Sequence, residues 1–379
     1  MKLLQIIASY KPAYIYGGPT MSVSKLNEEL VKAGVETEVF TTTANGMTEL
    51  PVIPGELTYM DGVKVTYFQR LTKDHTHFSP DLLRKLLAEV NNFDVVHVHA
   101  WWNLVSVLSC QIALRRGVPV VVSPRGTLSS YSFSNKNSLA KRLIHFLIGK
   151  RLLKKSYIHV TSEREKEAME RLITPKKIFS IPNFIAFPDD IPGAADRQSN
   201  GLKLIFLSRI EEKKGLEILF DALAGIDIPY SLTIAGDGDP GYISNLKEKA
   251  AMLGINGSVD WIGFQNANKF VILQQHDLFV LPSYDENFGN AVIESLSMGT
   301  AVLISNNVGL ADYVEQNNLG WVCPQEAGSF REQIISISEQ PGELLRIREQ
   351  APGTIRNDFS DAVLVKKYIE MYKQVIANG

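Results

Sequence analysis

The feature that most constrains this chain is an alternation of two patterns. Short apolar runs recur along the first half: "KLLQIIAS", "VETEVFTT", "DVVHVHA", "PVVVSP" and "YIHVTS". Between them lie stretches with helical spacing, such as "TMSVSKLNEELVKAG", closed by Gly34, and "LVSVLSCQIALRRG". A short apolar run without a polar face must, as a strand, be covered on both sides. Helices placed between successive strands supply that cover, so the pattern predicts parallel sheets with helices on both faces. The alternation breaks over "PNFIAFPDDIPGAADRQSNG", residues 182 to 201, which is rich in Pro, Gly, Asp and Asn and has no period. It then restarts with "LKLIFLSRI", "SLTIAGDG", "SVDWIGF", "DLFVLPS", "AVLIS" and "GWVCP". The chain therefore reads as α/β, with two doubly wound domains facing across a cleft. The expected boundaries are 1–185 for the first domain, 186–201 for a linker, 202–358 for the second domain and 359–379 for a terminal helix. That tail, "FSDAVLVKKYIEMYKQVI", places Val365, Tyr368, Ile369, Tyr372 and Ile376 on one helical face.

Composition removes several function classes. A 45% hydrophobic and 21% charged chain of 379 residues has the ordinary balance of a soluble globular protein and can bury a large core in each of two, at most three, domains. A net charge of -2 does not point to nucleic acid as a partner. Cys110 and Cys323 lie far apart and no Cys-x-x-Cys occurs, which speaks for a reducing compartment rather than a disulfide framework. "MKLLQIIASY" is too short for a signal peptide and leads into "YGGP" rather than a cleavage site, so it reads as a first buried strand. No run of 18 apolar residues is present to span a membrane. A cytoplasmic protein, at most attached to the inner face of the membrane, is the expectation.

Ligands of doubly wound sheets bind at the carboxyl ends of the strands. "DLFVLPS" is a strand, "YDENFG" is the loop at its carboxyl end, and a helix is expected to begin near Asn290. Unpaired N–H groups at such a start favour an anion or a sugar hydroxyl, and Gly289 lets the backbone approach closely. Glu286 precedes this helix and Glu294 lies one turn inside it, with seven residues between them. Two carboxylates beside an anion site suit a phosphorylated, polyhydroxylated ligand. The plainer reading is a solvated helix start. In "SRIEEKKG", Arg209 and Lys214 follow another strand and could clamp a diphosphate. With Glu211, Glu212 and Lys213 beside them, a surface charge cluster explains them equally well. In "IYGGPTMSV", Gly17 and Gly18 stand between the first strand and a helix, as a phosphate-binding loop or a plain tight turn. "GDGDPG", residues 236 to 241, matches the dinucleotide fingerprint, with Asp260 about twenty residues on. Two aspartates and a proline stand where a pyrophosphate would approach, and the loop falls mid-domain. His97 and His99 share a strand face without further ligands at metal-binding spacing, so no metal is expected there.

Taken in order, the Gly-Gly loop, "DVVHVHA", "TSERE", "IPN", "SRIEEKKG", "AGDGD" and "PSYDENFGNAVIESLSMGTAVL" resemble the retaining glycosyltransferases of family four. The resemblance spans nearly the whole chain. It implies the GT-B fold of two Rossmann-like domains, with donor binding in the second and acceptor binding in the first. It implies that Glu286, with the backbone of Phe288, Gly289 and Asn290, holds the transferred sugar, and that Glu294 holds the ribose of the nucleotide. It further implies that Arg209 and Lys214 hold the diphosphate, that Gly17, Gly18 and Gly236 lie near the ligands, and that the tail helix returns to the first domain. The substrate is then a nucleotide-sugar donor, with no cofactor and no metal. The acceptor is a glycan or lipid-linked glycan, as in surface polysaccharide biosynthesis. A non-catalytic sugar-nucleotide-binding protein would keep the same residues. An NAD-dependent oxidoreductase would instead use the "GDGDPG" loop. One departure stands out. Many members have a histidine shortly after the strand "VVVSP", where this chain offers Arg125, a group suited to a phosphate or hydroxyl. "KNSLAKRLIHFLIGKRLLKKSY", residues 136 to 157, carries seven cations and no acid. Leu139, Leu143, Phe146, Leu147 and Leu153 interleave with them, so it reads as a peripheral membrane surface or as a helix packed on the sheet.

Overall fold

The computed structural model describes residues 1–129, 131–132, 148–188, 201–265 and 268–379. They form two compact units, Met1–Ala186 with Asp361–Gly379, and Phe187–Ser360. Each is built on a mainly parallel sheet, the Rossmann-like plan that the alternation predicts.

In the first unit the strands are β1 (Lys2–Ile6), β2 (Glu36–Thr42), β5 (Leu57–Met60), β6 (Val63–Phe68), β7 (Val95–His99), β8 (Val120–Ser123), β9 (Tyr157–Val160) and β10 (Ile178–Ser180). A small hairpin, β3 (Ala44–Asn45) with β4 (Thr48–Glu49), stands apart. Among the described residues the sheet order is β10-β9-β8-β7-β1-β2-β6-β5, parallel except for the β5–β6 pair. Strand order reverses between β7 and β1. Alternate residues take opposite faces, and both faces are covered. Leu4, Ile6, Val96, Val98, Val120 and Val122 pack with α2 (Pro80–Glu89) and α3 (Leu104–Arg115). Leu3, Val95 and Val121 pack with Leu26 and Leu30 of α1 (Gly18–Lys32) and with the terminal helix. Helix α1 ends where Gly34 takes φ +79°, a conformation that costs a glycine little. Helix α5 (Glu163–Leu172) starts under a cap in which Ser162 Oγ accepts from Glu165 N. Between them lies α4 (Lys150–Lys155).

One expectation needs correction here, and another falls partly outside the described residues. The tail helix buries Leu364, Tyr368, Met371, Tyr372 and Val375, with Val365 and Ile369 at the margin and Ile376 exposed. Two adjacent stripes share Tyr368 and Tyr372, and the sheet takes the one that starts at Leu364. Of the basic stretch, residues 136–147 lie outside the described residues. In α4, Leu153 is buried with Leu152 in the core, as in the packed-helix reading, while Lys150, Arg151, Lys154 and Lys155 are exposed.

In the second unit the strands are β11 (Leu202–Leu207), β12 (Tyr230–Ala235), β13 (Val259–Gly263), β14 (Leu278–Leu281), β15 (Ala301–Ser305) and β16 (Gly320–Cys323). Their order is β13-β12-β11-β14-β15-β16, all parallel. The helices are α6 (Leu216–Leu223), α7 (Pro240–Met252), α8 (Lys269–Gln274), α9 (Asn290–Ser297), α10 (Ala311–Gln316), α11 (Ala327–Ser338) and α12 (Pro341–Asp358). The order reverses between β11 and β14. At such a switch point the flanking loops diverge and leave a crevice at the carboxyl edge. The tail, Asp361–Ala377, is α13.

Candidate functional site

The two loops at the switch point of the second unit carry the acidic and basic motifs. The loop after β11 closes at Gly215, with φ +73°. A Cβ there would stand 2.1 Å from Pro282 O, so only glycine lets this loop meet the end of β14. Tyr284 N and Ser283 Oγ both donate to Lys213 O, at 2.9 Å each, and fasten the loops together. Glu286 is held from the other side: its N–H donates to Asn307 O at 3.1 Å and its carbonyl accepts from Gly309 N at 2.8 Å. This backbone frame brings Lys214 Nζ into a direct ion pair with Glu286 Oε2. The pair is largely buried, with side chains 11% and 20% exposed. Burial pushes the Glu286 carboxyl up, but Lys214, aided by Lys213 and Arg209, outweighs it and holds the group below the usual carboxylate range. Lys213 pairs with Asp285 at 3.0 Å. Arg209 stays exposed and pairs with Glu211 at 2.6 Å.

Three residues beyond Glu286, Gly289 takes φ +97° and opens α9. An added Cβ would press on Val308 Cγ1 at 3.1 Å and Val292 Cγ2 at 3.3 Å. The Phe288 ring is buried against Phe359, so this residue has only its backbone to offer a ligand. The positive end of the α9 dipole thus lies at Gly289 and Asn290, next to Glu286. Glu294, one turn on, accepts from Lys269 Nζ at 2.7 Å through Oε1. Lys269 lies on the short helix α8, and no motif in the sequence pointed to it.

Gly236 and Gly238 have a different reason for being glycine. A Cβ at either would lie about 2 Å from a carbonyl of the neighbouring loop, Ser208 O for Gly236 at 1.9 Å and Ile210 O for Gly238 at 2.1 Å. Gly236 N donates to Gly263 O, and Ile210 N to Asp237 O. The "GDGDPG" loop therefore packs against the loop after β11 where a fingerprint loop would hold a pyrophosphate. It also follows β12 rather than a strand at the switch point, which removes the structural basis for an oxidoreductase.

In the first unit Gly17 takes φ +67° and leads into α1, whose first residue is Gly18. Arg125 follows β8 and adopts φ +52°, a costly conformation for a side-chain-bearing residue. It is held there by Gly126 N donating to Glu165 Oε1 at 2.8 Å. The Arg125 guanidinium donates through Nε to His99 Nδ1 at 3.2 Å, and through Nη1 to Ser22 Oγ at 3.0 Å and Asn183 Oδ1 at 2.9 Å. Arg125 is thus joined to the start of α1, near the paired glycines. His97 and His99 are fully buried, with ring centroids 4.1 Å apart, and each engages hydrogen-bonding side chains. Among the described residues no three His, Cys, Asp or Glu side chains gather as metal ligands.

Both halves of the chain match a known family. Residues 16–186 match glycosyltransferase family 4, and residues 189–354 match the glycosyl transferases group 1. The chain belongs to the family 4 glycosyltransferases. A glycosyltransferase of Methanocaldococcus jannaschii is 25% identical, and the alignment covers 98% of both chains. A glycogen synthase of Mycobacterium tuberculosis is 24% identical over 98% of this chain and 94% of its own. Among solved structures, sucrose-phosphate synthase from Thermosynechococcus elongatus superposes with a TM-score of 0.77 at 18% identity, over the whole of both chains. Anabaena HepE in complex with UDP gives 0.76 at 19%, covering 99% of this chain and all of that one. These likenesses establish the GT-B fold.

Within this family 4 glycosyltransferase, the structure brings Glu286, Lys214, Gly289 and Asn290 together at the switch point and keeps Arg209 at its exposed margin. Glu294 stands one helical turn away, with Lys269. Gly17, Gly18 and Arg125 belong to the first unit. The sequence reading missed Lys269, the Lys213–Asp285 pair, and the Gln5, Ser123, Asn183 and Tyr372 contacts around the buried histidines. A glutamine inside the apolar run "KLLQII" was the one visible signal, since a polar group buried in a strand demands partners.

Proposed function

We propose that the protein is a retaining, nucleotide-sugar-dependent hexosyltransferase whose second unit binds the donor and whose first unit binds a glycan or lipid-linked glycan acceptor. The observation that carries this reading is the buried Lys214–Glu286 pair at the β11–β14 switch point, adjoining the start of α9. A cation, a carboxylate and the N-terminus of a helix in one crevice match a ligand with a diphosphate next to sugar hydroxyls. Lys214 and Arg209 neutralise the departing diphosphate, so activity persists in excess EDTA. Glu286 and the Phe288–Asn290 backbone orient the sugar, and Glu294 holds the ribose. Arg125 engages a phosphate or hydroxyl of the acceptor. The acceptor oxygen bonds to the anomeric carbon on the face from which the diphosphate leaves, and a donor phosphate oxygen takes the acceptor's proton. Positioning and leaving-group stabilisation then supply the rate enhancement. Support for the donor class comes from relatives of the same fold solved with UDP-glucose, UDP or ADP.

The test is a thermal-shift screen of nucleoside diphosphates and nucleotide sugars, followed by release of the diphosphate with and without acceptors. Ligands that bind the folded state raise Tm. A shift with one nucleotide sugar and turnover on adding a glycan support the reading. A shift without transfer or hydrolysis on any acceptor would identify a sugar-nucleotide-binding protein instead.

A further inference from the structure

Behind Arg125 the first unit contains a run of buried polar side chains, and their donor order can be solved. Arg125 Nε can only donate, so His99 Nδ1 accepts and the proton of a neutral His99 is on Nε2. His99 Nε2 then donates to Gln5 Oε1 at 2.7 Å, and Gln5 Nε2 donates to Tyr372 Oη at 3.1 Å. The Tyr372 hydroxyl is left to donate to His97 Nδ1 at 2.7 Å. His97 Nε2 donates to Ser123 Oγ at 2.6 Å, and Ser123 Oγ donates to His159 Nδ1 at 2.6 Å. His159 Nε2 ends the chain on Ile181 O at 2.9 Å, a group that can only accept; the Tyr368 hydroxyl, 3.2 Å from the same nitrogen, donates to Pro182 O at 3.3 Å and so accepts there. Solving the order from Ile181 backwards gives the same direction at every link, although the two ends are independent. Two residues beyond Ile181, Asn183 Oδ1 accepts from Arg125 Nη1, and the circuit closes. It joins β1, β7, β8, β9, the segment after β10 and the terminal helix.

We propose that Tyr372 of the terminal helix is a positioning residue for Arg125, because its hydroxyl fixes the donor order of the buried chain that holds the guanidinium. The proposal rests on the reading of Arg125 as an acceptor-binding group. Without the Tyr372 hydroxyl, Gln5 Nε2 loses its acceptor, Arg125 alone still sets the orientation of the amide through His99, and the turned form becomes accessible. Turned, it donates to His99 Nε2, which forces the His99 proton to Nδ1. That nitrogen then faces Arg125 as a donor opposite a donor, and the guanidinium is released from its seat. Burial, reinforced by Arg125 and by the neighbouring imidazoles, holds His97 and His99 well below the ordinary histidine range, and His159 down to about 3. All three rings are therefore neutral, as the chain requires.

The experiment is nitrogen-15 NMR of the imidazole and Arg Nε signals in the full-length protein, wild type and Tyr372→Phe, paired with acceptor KM. In the wild type, His97, His99 and His159 should all show the neutral Nε2–H form at pH 7. Any one of them in the Nδ1–H or cationic form overturns the donor order. In Tyr372→Phe, the His99 and Arg125 Nε signals should move although neither residue hydrogen-bonds to Tyr372. Acceptor KM should rise roughly tenfold, the equivalent of one lost hydrogen bond. Nucleoside diphosphate affinity in the second unit should not change. Unmoved His99 and Arg125 signals overturn the positioning role, whatever the activity. If those signals move but no acceptor is turned over by the wild type, the functional reading fails while the positioning stands. If Arg125→Ala raises acceptor KM and Tyr372→Phe does not, the function stands and the positioning falls.

Discussion

Lys214→Ala tests the site where structure and proposed chemistry meet. In the wild type, Lys214 is the main reason a mostly buried carboxyl at Glu286 stays ionised. Removing one partner of a buried pair costs about 3–5 kcal/mol. Here Glu286 keeps a fifth of its exposure, and Lys213 and Arg209 still act on it, so a loss of about 2–3 kcal/mol is expected for the second unit. For a unit of this size that lowers Tm by roughly 5–10 °C. The pH dependence has a definite sign. The folded-state pKa of Glu286 lies below its unfolded value of about 4.3, so the pair's contribution is present above that value and is lost as pH falls through the folded one. In the variant, burial is less opposed, and protonation relieves it. The gap in stability between variant and wild type should be full at pH 7 and should narrow towards pH 3. Catalysis gives the second readout. Lys214 opposes charge that grows as the diphosphate departs, so kcat should fall by roughly 100- to 1000-fold. Differential scanning calorimetry at pH 7 and pH 4, with kcat/KM at pH 7, measures both. A variant as stable as wild type at pH 7, or equally destabilised at both pH values, refutes the electrostatic account. Wild-type kcat/KM places the diphosphate clamp elsewhere.

Three further outcomes are expected. Glu286→Gln should fold, bind nucleoside diphosphate normally and lose transfer by roughly 100-fold or more, because the sugar contact goes while the helix N–H groups remain; near-native turnover removes Glu286 from the sugar site. Gly236→Ala sets a methyl 1.9 Å from a backbone carbonyl that cannot yield, so it should destabilise the second unit by about 2–4 kcal/mol in a denaturant titration, and an unchanged midpoint would contradict the packing role. The exposed cations of α4, each worth about 1 kcal/mol near an anionic surface, should bring the protein down with anionic but not neutral vesicles at low salt; equal, negligible binding to both points to a soluble acceptor.

Much of this protein follows from local sequence. Runs such as "VVVS" and "AVLIS" have no polar face, so they could only be central strands, and the helices between them had to cover both sides. The start of α9 was legible because Gly289 and the switch from strand to helical spacing fall within a few residues. The motif order, rather than any single motif, carried the family. Other features depended on distances that sequence spacing does not encode. Gly236 matched a ligand-binding fingerprint, yet its missing Cβ makes room for Ser208 O, a residue of another loop. Lys269 reaches Glu294 from a helix that no pattern relates to it. Which stripe of the tail helix is buried was decided by the sheet it packs on, since two adjacent stripes share both tyrosines. The circuit from Arg125 to Ile181 draws on residues from Gln5 to Tyr372, and only the packing of the terminal helix against β1 and β7 closes it. Periodicity reports which side of an element avoids water. Which polar groups then meet inside is settled by the fold, because each buried donor needs an acceptor that the chain supplies from far away.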